Sequence, residues 1–224
     1  MAAEVVIVED HGLLAATLAT ALELRGVSID TVAPGDDLTD LRAALLERGP
    51  QLVLLDLDLG ACGEATPLIA PLTDAGIAVV MVTGVADATA RARCVAAGAV
   101  GILGKAEGVE SVVEAIDRVR AQGTLLSEHE RQEQLAWLRE REQEQQRLLA
   151  PFAALTGREA GVLSELMAGH TVEEIAAAAH VSRATVRTQV RSILSKLGVH
   201  SQVAAIGLAH EVGWQPPQWG QPND

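Results

Sequence analysis

Short apolar runs alternate with longer stretches of helical periodicity through the first half of the chain. The runs are rich in leucine or β-branched residues, which is typical of strands buried on both faces of a sheet. They lie at Val5–Val8, Leu52–Leu55, Ala78–Val82 and Val100–Leu103, with a weaker one at Val27–Val32. The helical stretches lie at Leu13–Leu24, Leu38–Glu47, Glu64–Ala75, Ala86–Ala97 and Val109–Ala121. This alternation predicts an α/β fold, a doubly wound five-stranded parallel sheet with helices on both faces.

The pattern changes after the predicted α/β domain, which we assign to residues 1–123. Residues 124–150 are rich in Glu, Gln and Arg around a thin apolar stripe, so we predict a helical linker, with a dimerising coiled coil as the alternative. The Ala150-Pro151 pair is expected to break that helix. Residues 151–210 show only helical periodicity and predict an all-α four-helix domain. Residues 211–224 carry three prolines and no periodicity, and we expect a disordered or loosely docked tail.

Composition narrows the class of protein. The chain has 224 residues, of which 49% are hydrophobic and 21% charged, as in a folded protein. It has no basic, apolar leader and no apolar stretch of about 20 residues, so we expect a cytoplasmic protein without a membrane contact. Two cysteines are too few for a disulfide framework or a four-ligand zinc site.

The net charge of −13 argues at first against nucleic acid, because DNA is a polyanion. The acidity is uneven along the chain, however. Residues 1–123 carry a net charge of −10, whereas residues 151–210 hold four acids and five bases. The helical domain therefore stays a candidate for DNA binding, and the acidic domain does not.

Chemically useful side chains follow the predicted strands. Glu9 and Asp10 come after the first strand, Asp56 after the third, Thr83 after the fourth and Lys105 after the fifth. In a doubly wound sheet such residues meet at one edge, where ligands bind. Clustered carboxylates favour a hard cation such as Mg²⁺, a carboxylate can act as a nucleophile, and a lysine or a hydroxyl can bind phosphoryl oxygens.

Four segments in this order resemble the receiver domain of bacterial two-component response regulators: VIVEDH (Val6–His11), LVLLDLDLG (Leu52–Gly60), VVMVTG (Val79–Gly84) and GILGKAEG (Gly101–Gly108). The resemblance implies that Asp56 is the phosphoacceptor and that Mg²⁺ binds Glu9, Asp10 and Asp56 beside the backbone carbonyl of Leu57 or Asp58. It implies that Thr83 is the switch hydroxyl and Lys105 the phosphate-binding lysine.

Three positions depart from the usual receiver pattern. Gly60 stands where a proline is common, and Ile102 occupies the switch position where an aromatic residue is common. Asp58 adds an acid beside the phosphoacceptor, and we expect it to alter the lifetime of the phosphoryl group. The Asp56-x-Asp58 pair also permits a rival interpretation, a haloacid-dehalogenase-like phosphohydrolase. That family's motif follows the first strand, however, and no cap domain is evident.

The helical domain contains a helix-turn-helix pattern. Thr156-x-x-Glu159 and Thr171-x-x-Glu174 match capping boxes that start helices. Val181 is expected to be buried in the turn and Ser182 to cap a second helix that ends at Leu197. The buried stripe of that helix is predicted from three- and four-residue steps to comprise Val186, Val190, Ile193, Leu194 and Leu197. Its basic side chains are unopposed by acids along the helix itself and point to a DNA-reading face, with Arg183, Arg187, Thr188 and Arg191 facing the major groove.

The segment Leu155–His210 resembles the DNA-binding domain of the NarL/FixJ (LuxR-type) response regulators. The resemblance implies that Arg187, Thr188 and Arg191 contact bases and that Ser182, Thr185 and Lys196 contact the DNA backbone. It also implies that the last helix, Ser201–His210, contributes to dimerisation.

Together the two resemblances imply a transcriptional response regulator rather than an enzyme, beyond reactions on its own phosphoryl group. The implied partners are a sensor histidine kinase, double-stranded promoter DNA and a second copy of the chain, at least when active. The alternative is a phosphorylation-independent transcription factor whose receiver is a fixed dimerisation platform, for which Gly60 and Ile102 leave room.

Overall fold

The computed structural model describes residues 3–84 and 87–216. The chain divides into two compact units, and the boundary between them falls between Arg139 and Glu140 in the sequence. No helix in these described ranges is both long and apolar enough to cross a membrane.

The first unit contains the predicted parallel sheet. Its five strands lie in the order β2-β1-β3-β4-β5, and every neighbouring pair is parallel. The strand bounds are β1 Val5–Val8, β2 Ile29–Val32, β3 Leu52–Asp56, β4 Ala78–Thr83 and β5 Gly101–Gly104. The doubly wound α/β prediction is therefore confirmed, and the reversal of strand order between β1 and β3 creates the crevice in which such folds bind ligands.

Helices cover both faces of this sheet. They are α1 Gly12–Glu23, α2 Leu38–Arg48, α3 Thr66–Asp74, α4 Ala88–Ala96 and α5 Val109–Gln122, with short 3₁₀ turns at Gly60–Cys62 and Lys105–Glu107. Alternate strand residues enter different cores, as the two-residue period of a strand requires. Val53 and Leu55 pack with α2, α3 and α4, whereas Leu52 and Leu54 pack with α1 and α5. Ala86, the first residue of the predicted fourth helix, lies outside the described residues.

The segment after α5 is attached to the first unit. Leu125 donates its backbone N–H to the Val100 carbonyl (2.8 Å). Its side chain covers Gly101, where a Cβ atom would lie 2.3 Å from a Leu125 methyl carbon. Further on, the Arg131 guanidinium donates to the carbonyls of Val95 (3.4 Å) and Ala99 (3.1 Å). The start of the predicted linker is therefore held against the α4–β5 connection.

The predicted break at Ala150-Pro151 is wrong. One helix, α6, runs from Glu128 to Ala153 with Pro151 inside it. A proline removes one helical hydrogen bond and crowds the carbonyl four residues earlier, and here it does so only in the last turn. The next residue, Phe152, is buried in the core of the second unit, and this packing favours continuation of the helix.

The second unit contains the predicted helical domain. After the end of α6 it has α7 Gly157–Met167, α8 Val172–Ala178, α9 Arg183–Leu197 and α10 Gln202–Glu211. Both predicted capping boxes are present, at Thr156 with Glu159 and at Thr171 with Glu174.

Two details of this unit correct the sequence analysis. Val181 is 43% exposed rather than buried, because the turn between α8 and α9 places it at the surface. The start of the predicted tail is packed rather than disordered, since Val212 and Trp214 are buried and the Trp214 ring stacks on Phe152 with centroids 5.3 Å apart. Residues 217–224 of that tail lie outside the described part of the chain.

Candidate functional site

The carboxyl ends of four strands carry the side chains that sequence reasoning selected in the first unit. Lys105 follows β5 and donates from Nζ to Asp56 Oδ2 at 2.6 Å and to Glu9 at 2.8 Å. Asp56 is the last residue of β3, and Glu9 follows β1 directly. Thr83 ends the neighbouring strand β4 and is buried. One lysine thus links two carboxylates that lie 47 residues apart in the sequence.

Burial governs the protonation of this cluster. Asp56 is only 3% exposed, and its pKa is raised, first by burial and also by the charge of Glu9, against the hydrogen bond from Lys105. Burial by itself would lower the pKa of Lys105, but its hydrogen bonds to the two carboxylates outweigh burial and raise it. The lysine therefore stays charged between two acids that compete for it.

The acidic residues also provide ligands for a cation. Glu9, Asp10, His11 and Asp56 each place one ligand atom within 4.8 Å of the others. Three of these residues are carboxylates, the donors that a hard cation such as Mg²⁺ prefers, so the donor set fits the predicted metal. His11 was not selected from the sequence. Its Nδ1 lies 3.0 Å from Glu9 Oε1 and also contacts Asp10, and these carboxylates raise its pKa.

The Gly60 loop closes one side of the acidic cluster. Gly60 has a φ of +61°, and a Cβ atom there would lie 3.1 Å from Asp10 Oδ2. A proline, whose φ is fixed near −65°, could not adopt this backbone, so the loop in this conformation is incompatible with the residue that is common here. The Leu57 carbonyl accepts the Ala65 N–H (2.8 Å), so one of its two lone pairs is engaged.

The second candidate surface is α9. Ser182 caps this helix by accepting the Thr185 N–H, as predicted. Val186, Ile193 and Leu197 are buried and Val190 and Leu194 partly buried, so the predicted stripe faces the core. The predicted DNA-facing residues Arg183, Arg187, Thr188 and Arg191 are exposed. The Thr188 hydroxyl donates to the Ala184 carbonyl, while its methyl group remains available for contact.

Acids from other helices do face α9. Lys196 donates at 2.6 Å to Glu159 on α7, and Arg183 and Arg187 both approach Glu173 on α8. Glu159 is buried; burial opposes its charge, but hydrogen bonds from Lys196, Ser192 and Thr156 outweigh burial and lower its pKa to about 2. A contact of Lys196 with the DNA backbone would therefore compete with its ion pair to Glu159.

Two family descriptions match the chain in these regions. "Response regulator receiver domain" matches residues 5–117, and "Bacterial regulatory proteins, luxR family" matches residues 153–209. The nitrate/nitrite response regulator protein NarP of Escherichia coli (strain K12) is 34% identical over 207 residues, which cover 90% of this chain and 92% of NarP. The chain belongs to the LuxR family of response regulators.

Two further matches extend over more than nine-tenths of this response regulator. The response regulator UvrY of Escherichia coli (strain K12) is 30% identical over 210 residues, covering 92% of each chain. A structure of RcsB from Salmonella enterica serovar Typhimurium, bound to the promoter rprA in the presence of the phosphomimetic BeF₃⁻, has 20% identity and a TM-score of 0.47. It covers 94% of this chain and 99% of RcsB.

The receiver match and the surroundings of Asp58 argue against the phosphohydrolase interpretation of this residue. The phosphohydrolase interpretation required it to act as an acid beside the nucleophile. In the structure Asp58 is exposed and its carboxylate accepts the Gly60 N–H at 3.1 Å, and the matching family is the receiver domain. This response regulator thus consists of a receiver and a LuxR-type DNA-binding domain.

Sequence reasoning missed the contacts made by three residues of this response regulator: His11, Glu159 and Glu173. His11 was signalled only by its position after two acids. Glu159 and Glu174 are both acids of predicted capping boxes, and nothing in the sequence distinguishes the one that also binds α9. Glu173 precedes Arg183 by ten residues and lies on a different helix, so only the packing of α8 against α9 reveals their contact.

Proposed function

We propose that this response regulator accepts a phosphoryl group on Asp56 from a sensor histidine kinase, in the presence of Mg²⁺, and that phosphorylation controls dimerisation and promoter binding. The observation that carries the proposal is the contact of Lys105 with both Asp56 and Glu9 at the edge of the sheet. This arrangement holds a nucleophile, a cation for phosphoryl oxygens and a further carboxylate within one cluster.

The chemistry is a transfer between two nucleophiles. A carboxylate oxygen of Asp56 attacks the phosphorus of a phosphohistidine; the O–P bond forms as the N–P bond breaks, and the electron pair stays on the histidine nitrogen. Lys105 then has a phosphoryl oxygen to bind in place of the Asp56 carboxylate. Asp56 ends as an acyl phosphate that carries close to two negative charges.

Three carboxylates would hold the metal ion: Glu9, Asp10 and Asp56, beside the backbone carbonyl of Leu57 or Asp58. When bound, Mg²⁺ offsets the charge of the carboxylates and of the incoming phosphoryl group. His11 bridges Glu9 and Asp10, so it orients the two ligands that do not react.

The switch would use the buried end of β4 and the neighbouring strand. Thr83 is buried beside the phosphoacceptor strand, and Ile102 of β5 is half-buried against the core that contains α3 and α4. A phosphoryl group can draw the Thr83 hydroxyl and Lys105 inward and thereby bias a two-state element. Ile102 would follow by packing alone, since it has no polar atom on its side chain.

The output would be promoter recognition by α9 in the cytoplasm. Arg183, Arg187, Thr188 and Arg191 project from α9 toward solvent and suit base edges in the major groove. Ser182 and Thr185 lie at the helix N-terminus, a favourable position for a phosphate, and Lys196 can add a backbone contact only in competition with Glu159. A homodimer pairs two such modules on one site, which multiplies their affinities.

The test is phosphorylation followed by DNA binding with one set of samples. Full-length wild type, Asp56→Asn and the control Asp58→Asn are incubated with an acyl phosphate and Mg²⁺, and intact mass is measured. We expect wild type and Asp58→Asn to gain one phosphoryl group and Asp56→Asn none. Normal labelling of Asp56→Asn contradicts the site. If DNA affinity does not change on labelling, the phosphorylation-independent alternative replaces the proposal.

The role of Asp58 is tested in the same samples by the decay of the labelled protein after the phosphodonor is removed. We expect Asp58→Asn to change the lifetime, because a carboxylate repels both the phosphoryl group and an attacking hydroxide. An unchanged decay rate contradicts this role.

A further inference from the structure

A single acid faces the arginines at the start of α9. Glu173 Oε1 lies 3.7 Å from Arg187 Nη2 and 4.0 Å from Arg183 Nη1. The three side chains are 47%, 64% and 69% exposed, so they stand at the surface that DNA would occupy. Within residues 3–84 and 87–216, no other acid lies within ion-pair distance of these two arginines.

The helix that carries Glu173 does not need this acid for its cap. Glu174 performs that role by accepting the Thr171 N–H at 2.7 Å and the Thr171 hydroxyl at 2.8 Å. Glu173 lies in the first turn of α8, where any carboxylate gains modestly from the helix dipole. Its contact with the arginines is therefore additional to the requirements of the local fold.

We propose that Glu173 is an internal competitor of DNA, an affinity-limiting residue that occupies Arg187 and Arg183 and must be displaced when α9 enters the major groove. The inference rests on the proposed DNA face of α9. It adds a residue that opposes binding to the set of residues that favour it.

Electrostatics at this distance supports the competition. Ion pairs near 4 Å lie well inside the Debye length of about 8 Å at physiological salt, so they are not screened away. When phosphates replace the carboxylate at the arginines, Glu173 is left beside a polyanion and repels it. The cost recurs in every module, so one module binds weakly and stable binding requires two.

The small charge of the domain makes this effect large in proportion. Residues 151–210 have five bases against four acids. Lys196 is already held by buried Glu159 at 2.6 Å. Of the three exposed arginines on α9, Arg191 alone has no acid within 4 Å in the described part of the chain.

The experiment measures affinity of the full-length, unphosphorylated protein for a duplex pool of random sequence, because such binding is almost wholly electrostatic. At about 50 mM salt we expect Glu173→Gln to bind about fivefold more tightly than wild type. The dependence of affinity on salt should steepen by about one counterion per module. Glu173→Asp keeps the charge and should stay near wild type.

The matched control is Glu165→Gln. Glu165 lies in the same domain and its side chain is 53% exposed, but it pairs with His170 rather than with an α9 arginine. Its replacement changes the net charge identically, so we expect only a small gain in affinity. Adding Glu173→Gln to the double variant Arg183→Ala/Arg187→Ala should give no more than this small gain.

The outcomes separate this inference from the proposed function. If Arg187→Ala weakens DNA binding but Glu173→Gln gains no more than Glu165→Gln, the competitor role is wrong and the DNA face stands. If Arg183→Ala/Arg187→Ala binds like wild type, the DNA face itself is wrong. Weaker DNA binding by Glu173→Gln also overturns the competitor role, because the proposal requires a gain in affinity.

Discussion

Two lysines of this response regulator each hold a buried carboxylate at 2.6 Å, Lys105 on Asp56 and Lys196 on Glu159. The pKa of Asp56 is nevertheless raised, whereas that of Glu159 falls to about 2. Asp56 shares its lysine with Glu9, a second acid, and burial dominates. Glu159 has its lysine to itself and also accepts hydrogen bonds from Ser192 and Thr156.

The contrast distinguishes the proposed phosphoacceptor from a carboxylate that pairs within the helical domain. A carboxylate with incomplete compensation has lone pairs and charge left for a metal ion or for phosphorus. A carboxylate saturated with donors has none to spare, and it stabilises the fold instead. Four experiments test this distinction.

The largest effect is expected for Glu159→Gln. This change removes the charge that Lys196 binds and leaves the lysine cation beside a buried neutral amide, so the free energy of unfolding of the second unit should fall by about 2–3 kcal/mol. Urea unfolding measures it, with Glu165→Gln as the exposed control. A loss no larger than that of the control would contradict the structural role.

The Glu159 carboxylate should make the free energy of unfolding depend on pH. Its pKa is about 2 in the folded chain and 4.5 in its ordinary state, so its stabilisation is complete above about pH 5. It is lost as the pH falls through that range toward about 2. The difference in unfolding free energy between wild type and Glu159→Gln should therefore shrink as the pH is lowered. A constant difference would mean that the charge of Glu159 is irrelevant.

Asp56→Asn should act in the opposite sense on the first unit. Burial penalises the Asp56 carboxylate and raises its pKa, so a neutral isostere should raise the free energy of unfolding at neutral pH in buffer with EDTA. Added Mg²⁺ should stabilise wild type more than the variant, because the variant lacks one ligand. A destabilised variant in EDTA would show that Asp56 is saturated like Glu159.

The smallest effect concerns the glycine loop beside the acids. Gly60 and Gly63 both have positive φ, but only at Gly60 would a Cβ atom crowd Asp10. Each alanine variant should cost about 1 kcal/mol of backbone strain. Only Gly60→Ala should also weaken the stabilisation by Mg²⁺, measured by thermal unfolding at several concentrations. Equal responses of the two variants would remove Gly60 from the metal site.

The sheet and its edge were predictable because a strand buried on both faces has few alternatives. The runs at Val5–Val8 and Leu52–Leu55 mark strand ends within a residue, and the carboxyl ends of parallel strands meet at one edge. The sequence alone therefore predicts that Asp56 and Lys105 lie close together. Helices of the second unit were equally accessible, since both capping boxes are local signals.

Contacts between elements were not predictable in the same way. Val181 was expected in the core from its apolar side chain, but a turn residue's burial depends on the helices around it. Pro151 was expected to end a helix that the packing of Phe152 continues. The partners of Lys196 and Arg187 lie on other helices, so their charges looked unopposed when only α9 was considered.

The stack of Phe152 and Trp214 gives the second unit an optical signature. Trp214 is buried against another ring, and Trp137 lies on the first unit's side of the boundary. Each unit thus has its own indole in the described chain. Replacing Trp219 and one of these two with phenylalanine would leave a single fluorophore, so the unfolding of either unit could be followed by its emission alone.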